Sequence, residues 1–511
     1  MRSLPMLTRT RTTDVHLDGQ QQQSTGDWYR PIRMIVLSLL AVALLLSSSV
    51  TFSPRSEAAA AATSCTTPCQ HYDVVVIGSE LEGILLAQAA HKLGKSVLIL
   101  DPRPKPGGQL IQGQMLVLDE PHDAKARSLV QGEMKRLFDG YNNKSIRTFA
   151  EFNQYYNGLI KSIPLESGIT IQSIHSVQTT PKGSSRSIQS ITYKSRDAKT
   201  HTVAASYWVE NTDFAAIAGR LGLTRIPGTE SLFKGGGPAP EYMAATYMLR
   251  FKNVNWNELH EATLRDYPLT KLAAKYGPGT YVDWNFGTGF SNLTAKFKPK
   301  DTQLKLRGIN STYQRDGRVI INALLIYDVN PSDDKSVQAA IKKAQDEAPR
   351  ILEFLRKNIP GYSKAQLDTL PDYLYIREHD RYVSEYVLKR DDLMNSRMFW
   401  DNVSIGGYPI DVQGTRRFPY GQGLGKPDRY GLPLRSFEIK GIDNLLTAGK
   451  NVGAEAAAYG SVRIQPNTGL AAQVIGIIIG REKKPLRELD AADFKRIHQY
   501  LKKDYKIQVQ A

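Results

Sequence analysis

The sequence predicts an α/β fold built on a parallel sheet, and three observations in a row predict it. "YDVVVIG" (72–78) is an apolar run too short for a helix, so it reads as a buried strand. "ELEGILLAQAAHKLG" (80–94) has helical spacing, with Ile84, Leu85, Ala89 and Leu93 on related faces and Gly94 closing the helix. "KSVLILD" (95–101) is a second buried strand that ends in Asp101. Strand, tight turn, helix and strand make a βαβ unit, whose two strands lie parallel.

The turn of this unit carries most of a dinucleotide fingerprint. The first glycine of such a turn permits the sharp bend, and the last lets helix and strand pack closely. Free N–H groups at the helix N-terminus hold phosphate, and an acidic residue ending the second strand takes the ribose hydroxyls. Gly78, Gly83 and Asp101 fill three of the four roles, and the amides of Ser79, Glu80 and Leu81 are the expected phosphate donors. Glu80 stands where a middle glycine is usual. Its carboxylate either turns to solvent and leaves the amides free, or satisfies the helix N-terminus itself.

The later elements follow in order. Residues 120–165 read as helical, and 169–210 as strands with a turn at "PKGSSRS" (181–187) and an apolar strand at "AASYWVEN" (204–211). A helix is expected over "DFAAIAGRLG" (213–222), then short strands and Gly/Pro loops over 235–335. "SVQAAIKKAQDEAPRILEFLRKNIPG" (336–361) is a long helix. "IDNLLTAGKN" (442–451) is a strand entering a loop, and "GLAAQVIGIIIG" (469–480) a buried helix that packs through small residues. The tail "LRELDAADFKRIHQYLKKDY" (486–505) is an amphipathic helix.

Bulk composition narrows the function. The 511 residues suit two or three domains, and 41% hydrophobic with 23% charged residues is ordinary for a globular protein. The net charge of +16 is spread along the chain, with only short runs such as "REKK" and "LKKDYK", which argues against a nucleic-acid partner. The two cysteines, Cys65 and Cys69, lie ahead of the folded part and make no disulfide scaffold; they either pair with each other or one is lipidated. Arginines precede the uncharged run Met34–Phe52, which reads as a signal peptide or a transmembrane anchor. The body is then expected on the extracytoplasmic side, secreted or held at the membrane. Residues 1–33 form a cytoplasmic segment on this reading, 34–52 the apolar segment and 53–70 a linker.

"DPRPKPGGQL" (101–110) sets a glycine doublet just after the second strand, and there the chain resembles the glutathione-reductase-type FAD superfamily. "DNLLTAGKNVGAEAAAYGSVRIQPNTG" (443–469) is similar to the "NLLVAGR…GS-R-P" ending of a bacterial FAD-dependent oxidoreductase family. "IREHDRYVSEYVLKRDDL" (376–393) and "GGYPIDV" (406–412) look like segments of the same family. The resemblance spans about residues 71–480. It implies a Rossmann-like FAD-binding domain, discontinuous over 71–220 and 436–480, with an inserted mixed α+β substrate domain over 221–435 and a C-terminal helix over 481–511. FAD is the implied cofactor. Gly78, Gly83, Asp101, Gly107, Gly108 and Gln109 would line its adenosine and pyrophosphate, Gly449 and Asn451 its ribityl chain, and Gly460, Ser461 and Arg463 its isoalloxazine. Two departures add acid near the pyrophosphate: Glu80, and Asp213 in "ENTD" (210–213), where the family strand ends "DATG".

A flavin would carry the redox chemistry. No cysteine follows Cys69, which excludes a flavin disulfide reductase. Neither "GGGPAP" nor "GQGLG" follows a clear strand or opens a helix, so no second nucleotide loop is expected. Direct oxidation or reduction of a small molecule remains, with electrons passing to oxygen, a quinone or another acceptor. His379 reads as a base or as a surface partner in "REHDR"; Arg381 and Arg463 as holders of a substrate carboxylate or reduced flavin, or as ion-pair residues; Tyr408 as core. His122 and His175 stand alone, so no metal site is expected. The rival reading is a membrane-tethered, catalytically silent binding or scaffold protein, which Glu80, Asp213 and the export signal favour.

Overall fold

The computed structural model describes residues 69–179, 185–232 and 239–510. The expected apolar segment 34–52, its linker up to residue 68 and most of the turn at 181–187 lie outside those residues. Among the described residues no helix is long and apolar enough to cross a membrane.

The βαβ unit forms as its sequence requires. Strand β1 (Gln70–Ile77) runs into helix α1 (Leu81–Lys92), and β2 (Val97–Asp101) returns parallel to β1, Val74 opposite Val97. Gly94 takes φ +85°, which only a residue without Cβ adopts freely, just past the helix end. Four more strands extend the sheet: β3 (Leu165–Ser167), β4 (Thr170–Gln178), β5 (Arg186–Lys194) and β6 (Thr200–Glu210). The order is β3-β2-β1-β6-β5-β4. Pairs among β3, β2, β1 and β6 are parallel, whereas β5 and β4 form an antiparallel flap. The outer half of β6 is covered by a strand from far along the chain, Leu445–Thr447, also parallel.

Strand β1 is apolar throughout because both of its faces are covered. Val74 and Val76 face α1 and helix Gln465–Arg481, and Val75 and Ile77 face a second cluster with Leu98, Leu100 and Trp208. The two helices touch closely: a Cβ at Gly476 would lie 2.3 Å from the Leu86 carbonyl oxygen. A six-stranded antiparallel sheet lies within the intervening chain, with Ala245–Lys252, Leu304–Tyr313 and Val319–Ile326 at its centre. Helix Asp334–Asn358 packs on it with an apolar face of Ala340, Ala344, Ala348 and Ile351. Helix Ala491–Tyr505 closes the chain, its N-terminus capped by Asp490.

Three expectations about elements fail. No helix forms over 213–222, where a single turn, Ala218–Arg220, remains. The buried Glu210 carboxylate accepts the Ile217 and Ala218 amides at 2.6 and 3.2 Å, and Thr212 Oγ1 accepts Ala216 N at 3.0 Å. Those side-chain acceptors replace the helical ones. Among the described residues between 239 and 335, helices Trp256–Arg265 and Leu269–Tyr276 and a short helix Ser291–Thr294 stand where loops were expected. The apolar sides of the first two cover the antiparallel sheet through Trp256, Leu259 and Leu272. Residues 120–131 form an irregular turn with no helix, and the first helix there starts only at Gly132.

Candidate functional site: a dinucleotide cradle

The parallel strands end together at one edge, and the glycines gather there. Gly78 takes φ +101°, and a Cβ on it would sit 2.6 Å from the Asn211 carbonyl. Gly83 is equally constrained, with Asn211 Oδ1 2.2 Å from its Cβ position and bonded to its amide at 3.1 Å. The turn therefore packs directly on the end of β6, the task that the first and last glycines of the fingerprint serve. Among the described residues the Ser79, Glu80 and Leu81 amides have no acceptor, and the Glu80 side chain does not cap the helix.

The Glu80 side chain goes elsewhere. Its carboxylate crosses to the glycine doublet, where Gln109 N donates to Oε2 at 2.9 Å. Lys450 Nζ donates to Oε1 at 3.2 Å, and Tyr373 OH approaches the same oxygen at 3.3 Å. Neither alternative offered by the sequence, solvent or helix cap, describes this. Gly108, at φ +46°, leaves the room: a Cβ there would lie 2.3 Å from the Glu80 carboxyl carbon. Lys450 completes its shell with Gln109 Oε1 at 3.1 Å and the Ile376 carbonyl at 2.9 Å. Burial holds the Glu80 carboxyl above its usual range; Lys450 opposes that, and Asp213 adds to it.

Two further acids surround this pair. Asp213 bonds Arg103 Nη2 and Tyr373 OH, both at 2.9 Å. Burial works to raise its pKa, yet Arg103 and Lys450 bring it below the ordinary value. Tyr373 has one proton for two carboxylates, and the shorter contact gives it to Asp213. Glu82 points inward as well, accepting from Thr468 Oγ1 at 3.1 Å while Oε2 has no partner. Burial, with the Glu80 charge beside it, pushes Glu82 up to about 7. Gly449 (φ +66°) gives way to it, its Cβ position 3.2 Å from the Glu82 carboxyl carbon.

The other expected cofactor residues take placements of their own. Asp101 bonds Ser79 Oγ and accepts the Arg103 amide at 2.8 Å, so both oxygens are engaged by the chain; burial raises it to about 7. Ser79 Oγ in turn accepts Gly107 N at 2.9 Å. Asn451 Nδ2 ties to the Thr212 carbonyl at 2.8 Å. Ser461 is wholly buried against Tyr430 OH (2.6 Å), and Gly460 lies against the Asp411 backbone, 3.1 Å from its Cβ position. These last three hold backbone segments together.

Beyond Lys450 lies a void of about 20 Å³, whose lining includes Gln109, Asp119, Tyr375, Arg377, Lys450 and Arg463. It has room for about one water. Arg463 reaches Tyr375 OH at 3.3 Å and the Asp411 carbonyl at 3.2 Å, and its Nε has no partner. Arg377 bonds only neutral groups: Thr246 Oγ1, the Ala244 carbonyl (2.8 Å) and Asn322 Oδ1 (3.1 Å). Burial, with Arg307 and Arg463 adding to it, brings Arg377 down to about 9.

The three expected substrate-side residues are not brought together. Arg381 is buried in an ion pair with Glu378 at 2.7 Å and stacks on Tyr459, so it has the structural role. His379 lines a separate cleft of about 490 Å³, with Nε2 2.9 Å from Ser332 Oγ and burial lowering its pKa. Only Arg463 reaches the void. Tyr408 OH bonds Asp119 at 3.0 Å. Lys450 and Tyr373 escaped the sequence reading. Lys450 had a signal, since it stands where the family ending "NLLVAGR" has its arginine; Tyr373 had none. Among the described residues no cluster of metal ligands exists.

A glycine-turned βαβ unit, a second glycine doublet and a returning strand with its loop define a dinucleotide-binding α/β protein. Residues 73–501 match the family described as FAD dependent oxidoreductase. The chain belongs to that family: it is an FAD-dependent oxidoreductase, and FAD is its cofactor. Among solved structures it is similar to a geranylgeranyl bacteriochlorophyll reductase-like protein from Thermoplasma acidophilum (11% identity, TM-score 0.35, 86% of this chain and 85% of that one). It is also similar to the tetracycline destructase Tet(51) (11%, 0.35, 86% and 88%) and to the myxobacterial chondrochloren halogenase CndH (11%, 0.33, 86% and 81%). No curated protein matches.

The packing does not fit that cofactor. The backbone keeps the cradle, but the Glu80 carboxylate occupies the Gln109 amide and Lys450, where a diphosphate would need donors. Asp101 is turned into its own loop, and the void beyond Lys450 is far smaller than an isoalloxazine.

Proposed function

We propose that this chain oxidises or reduces a small organic molecule outside the cytoplasm and passes electrons to oxygen, a quinone or another acceptor. FAD, when bound, supplies the redox chemistry. The observation that carries the reading is the family match over residues 73–501 together with the glycine cradle at the parallel-sheet edge. Arg377 beside the void favours a substrate with an anionic group, because it bonds only neutral groups, whereas Arg463 has Asp411 at 3.8 Å. The extracytoplasmic placement rests on the arginines ahead of Met34–Phe52, which also favour a membrane attachment.

The test is the visible spectrum of the purified protein, followed by identification of whatever denaturation releases. Released FAD and bleaching of the flavin by a small carboxylic or amino acid substrate are expected. A folded, colourless protein that takes up no added FAD would sink the proposal and favour the scaffold reading.

A further inference from the structure

We propose that Glu80 is a built-in occupant of the dinucleotide cradle, competing with the FAD diphosphate for the Gln109 amide and Lys450, so that loading the cofactor is a displacement. The proposal rests on the FAD-dependent reading above and concerns the same site.

Three features support it. The Glu80 carboxylate carries the chemistry of a phosphate oxygen pair: an anion that accepts a backbone N–H at 2.9 Å and an ammonium at 3.2 Å. It fits the doublet closely, since a Cβ on Gly108 would lie 2.3 Å from its carboxyl carbon. It also fills half of the cradle only. The Ser79, Glu80 and Leu81 amides at the helix N-terminus have no acceptor among the described residues, and a glutamate serving its own helix would have taken one of them. The cradle is thus divided between an internal anion on the Gln109 side and open donors on the helix side.

Displacement has a structural consequence. Lys450 is buried and holds Glu80, Gln109 and the Ile376 carbonyl. A diphosphate that reached Lys450 would take over the Glu80 contact, so Lys450 would keep a counter-charge. Tyr373, which approaches Glu80 and bonds Asp213, lines a cleft of about 860 Å³ together with Arg103, Gln112 and Asp334. Asp213 lines that cleft too, so the cleft and the cradle share the Tyr373–Asp213 pair as part of their walls.

The experiment compares FAD affinity in the full-length wild type, Glu80→Gly and Glu80→Gln, after cofactor removal by mild chaotrope. Flavin fluorescence gives the dissociation constant, and thermal unfolding gives the stability of each apo protein. Glu80→Gly should bind FAD at least about tenfold more tightly than wild type, while its apo form melts lower and regains the loss with FAD. Glu80→Gln keeps the volume and the Gln109 contact, so it should fold normally and fall between the two in affinity. Equal or weaker FAD binding by both variants, with the wild type binding well, overturns the displacement alone. Folded proteins that all fail to bind FAD overturn the displacement together with the cofactor reading on which it stands.

Discussion

The cradle and the arginine void adjoin each other through Lys450, yet they treat charge in opposite ways. In the cradle, charge meets opposite charge: Glu80 with Lys450, and Asp213 with Arg103. Around the void, Arg307 and Arg377 bond amides, carbonyls and a hydroxyl, and among the described residues no carboxylate lies within ion-pair distance of either. Arg463 has Asp411 only at 3.8 Å. One region pairs its charges at hydrogen-bond distance; in the other, Asp119 and Asp411 oppose the arginines from further away. A buried cation without an anion at contact distance is unfavourable, so an external anion gains most on the Arg377 side of the void. The cradle already contains the anion that a ligand would bring.

The largest effect should come from breaking the cradle pair. Lys450→Met leaves Glu80 buried without a cation and should cost about 3–5 kcal/mol in urea unfolding. The double variant Glu80→Leu/Lys450→Met should recover much of that. A cost below about 1 kcal/mol for the single variant would show that the pair does not hold the cradle.

A second effect comes from the neighbouring buried acid. Glu82 sits at about 7 in the folded chain against an ordinary 4.5, so the folded state retains a proton that the unfolded chain gives up. Stability from this group is therefore full below about pH 4.5 and declines as pH rises towards 7, levelling off above it. Relative to Glu82→Gln, the wild type should lose about 3 kcal/mol over that window. Parallel pH–stability curves for the two proteins would refute the shift.

The smallest effect should lie on the void. Arg307→Met removes a cation that burial already disfavours, and loses its bonds to Gln413 and Asn322. The two terms oppose each other, and the net change should stay within about 1 kcal/mol at neutral pH. A loss as large as that of Lys450→Met would erase the contrast between the regions.

The scaffold of the cradle was legible because local pattern determines it. Strand β1, helix α1 and strand β2 declared themselves by period and by Gly78, Gly83 and Gly94, and helix Gln465–Arg481 by its apolar run with small residues. Side-chain direction was not legible. Glu80 at a helix start has two local destinations, and it takes neither, because its partner Lys450 lies 370 residues away. The same holds for Arg381, whose partner Glu378 satisfies it inside the fold. The loop 213–222 looked helical because its helix formers were visible, whereas the Glu210 carboxylate that captures its amides is a tertiary effect.

Strand Leu445–Thr447, which covers the outer half of β6, fixes the order in which a growing chain is finished. The ribosome delivers β1 to β6 early, then the whole antiparallel sheet, and only afterwards the strand and helix that close the first sheet. Until residue 481 has emerged, β6 has an open edge and α1 a bare face. The ammonium of the cradle arrives with that same late segment. A nascent chain of this protein therefore has no finished nucleotide site before residue 481 has emerged, and a truncation ahead of residue 450 leaves Glu80 without its cation rather than yielding a smaller working domain.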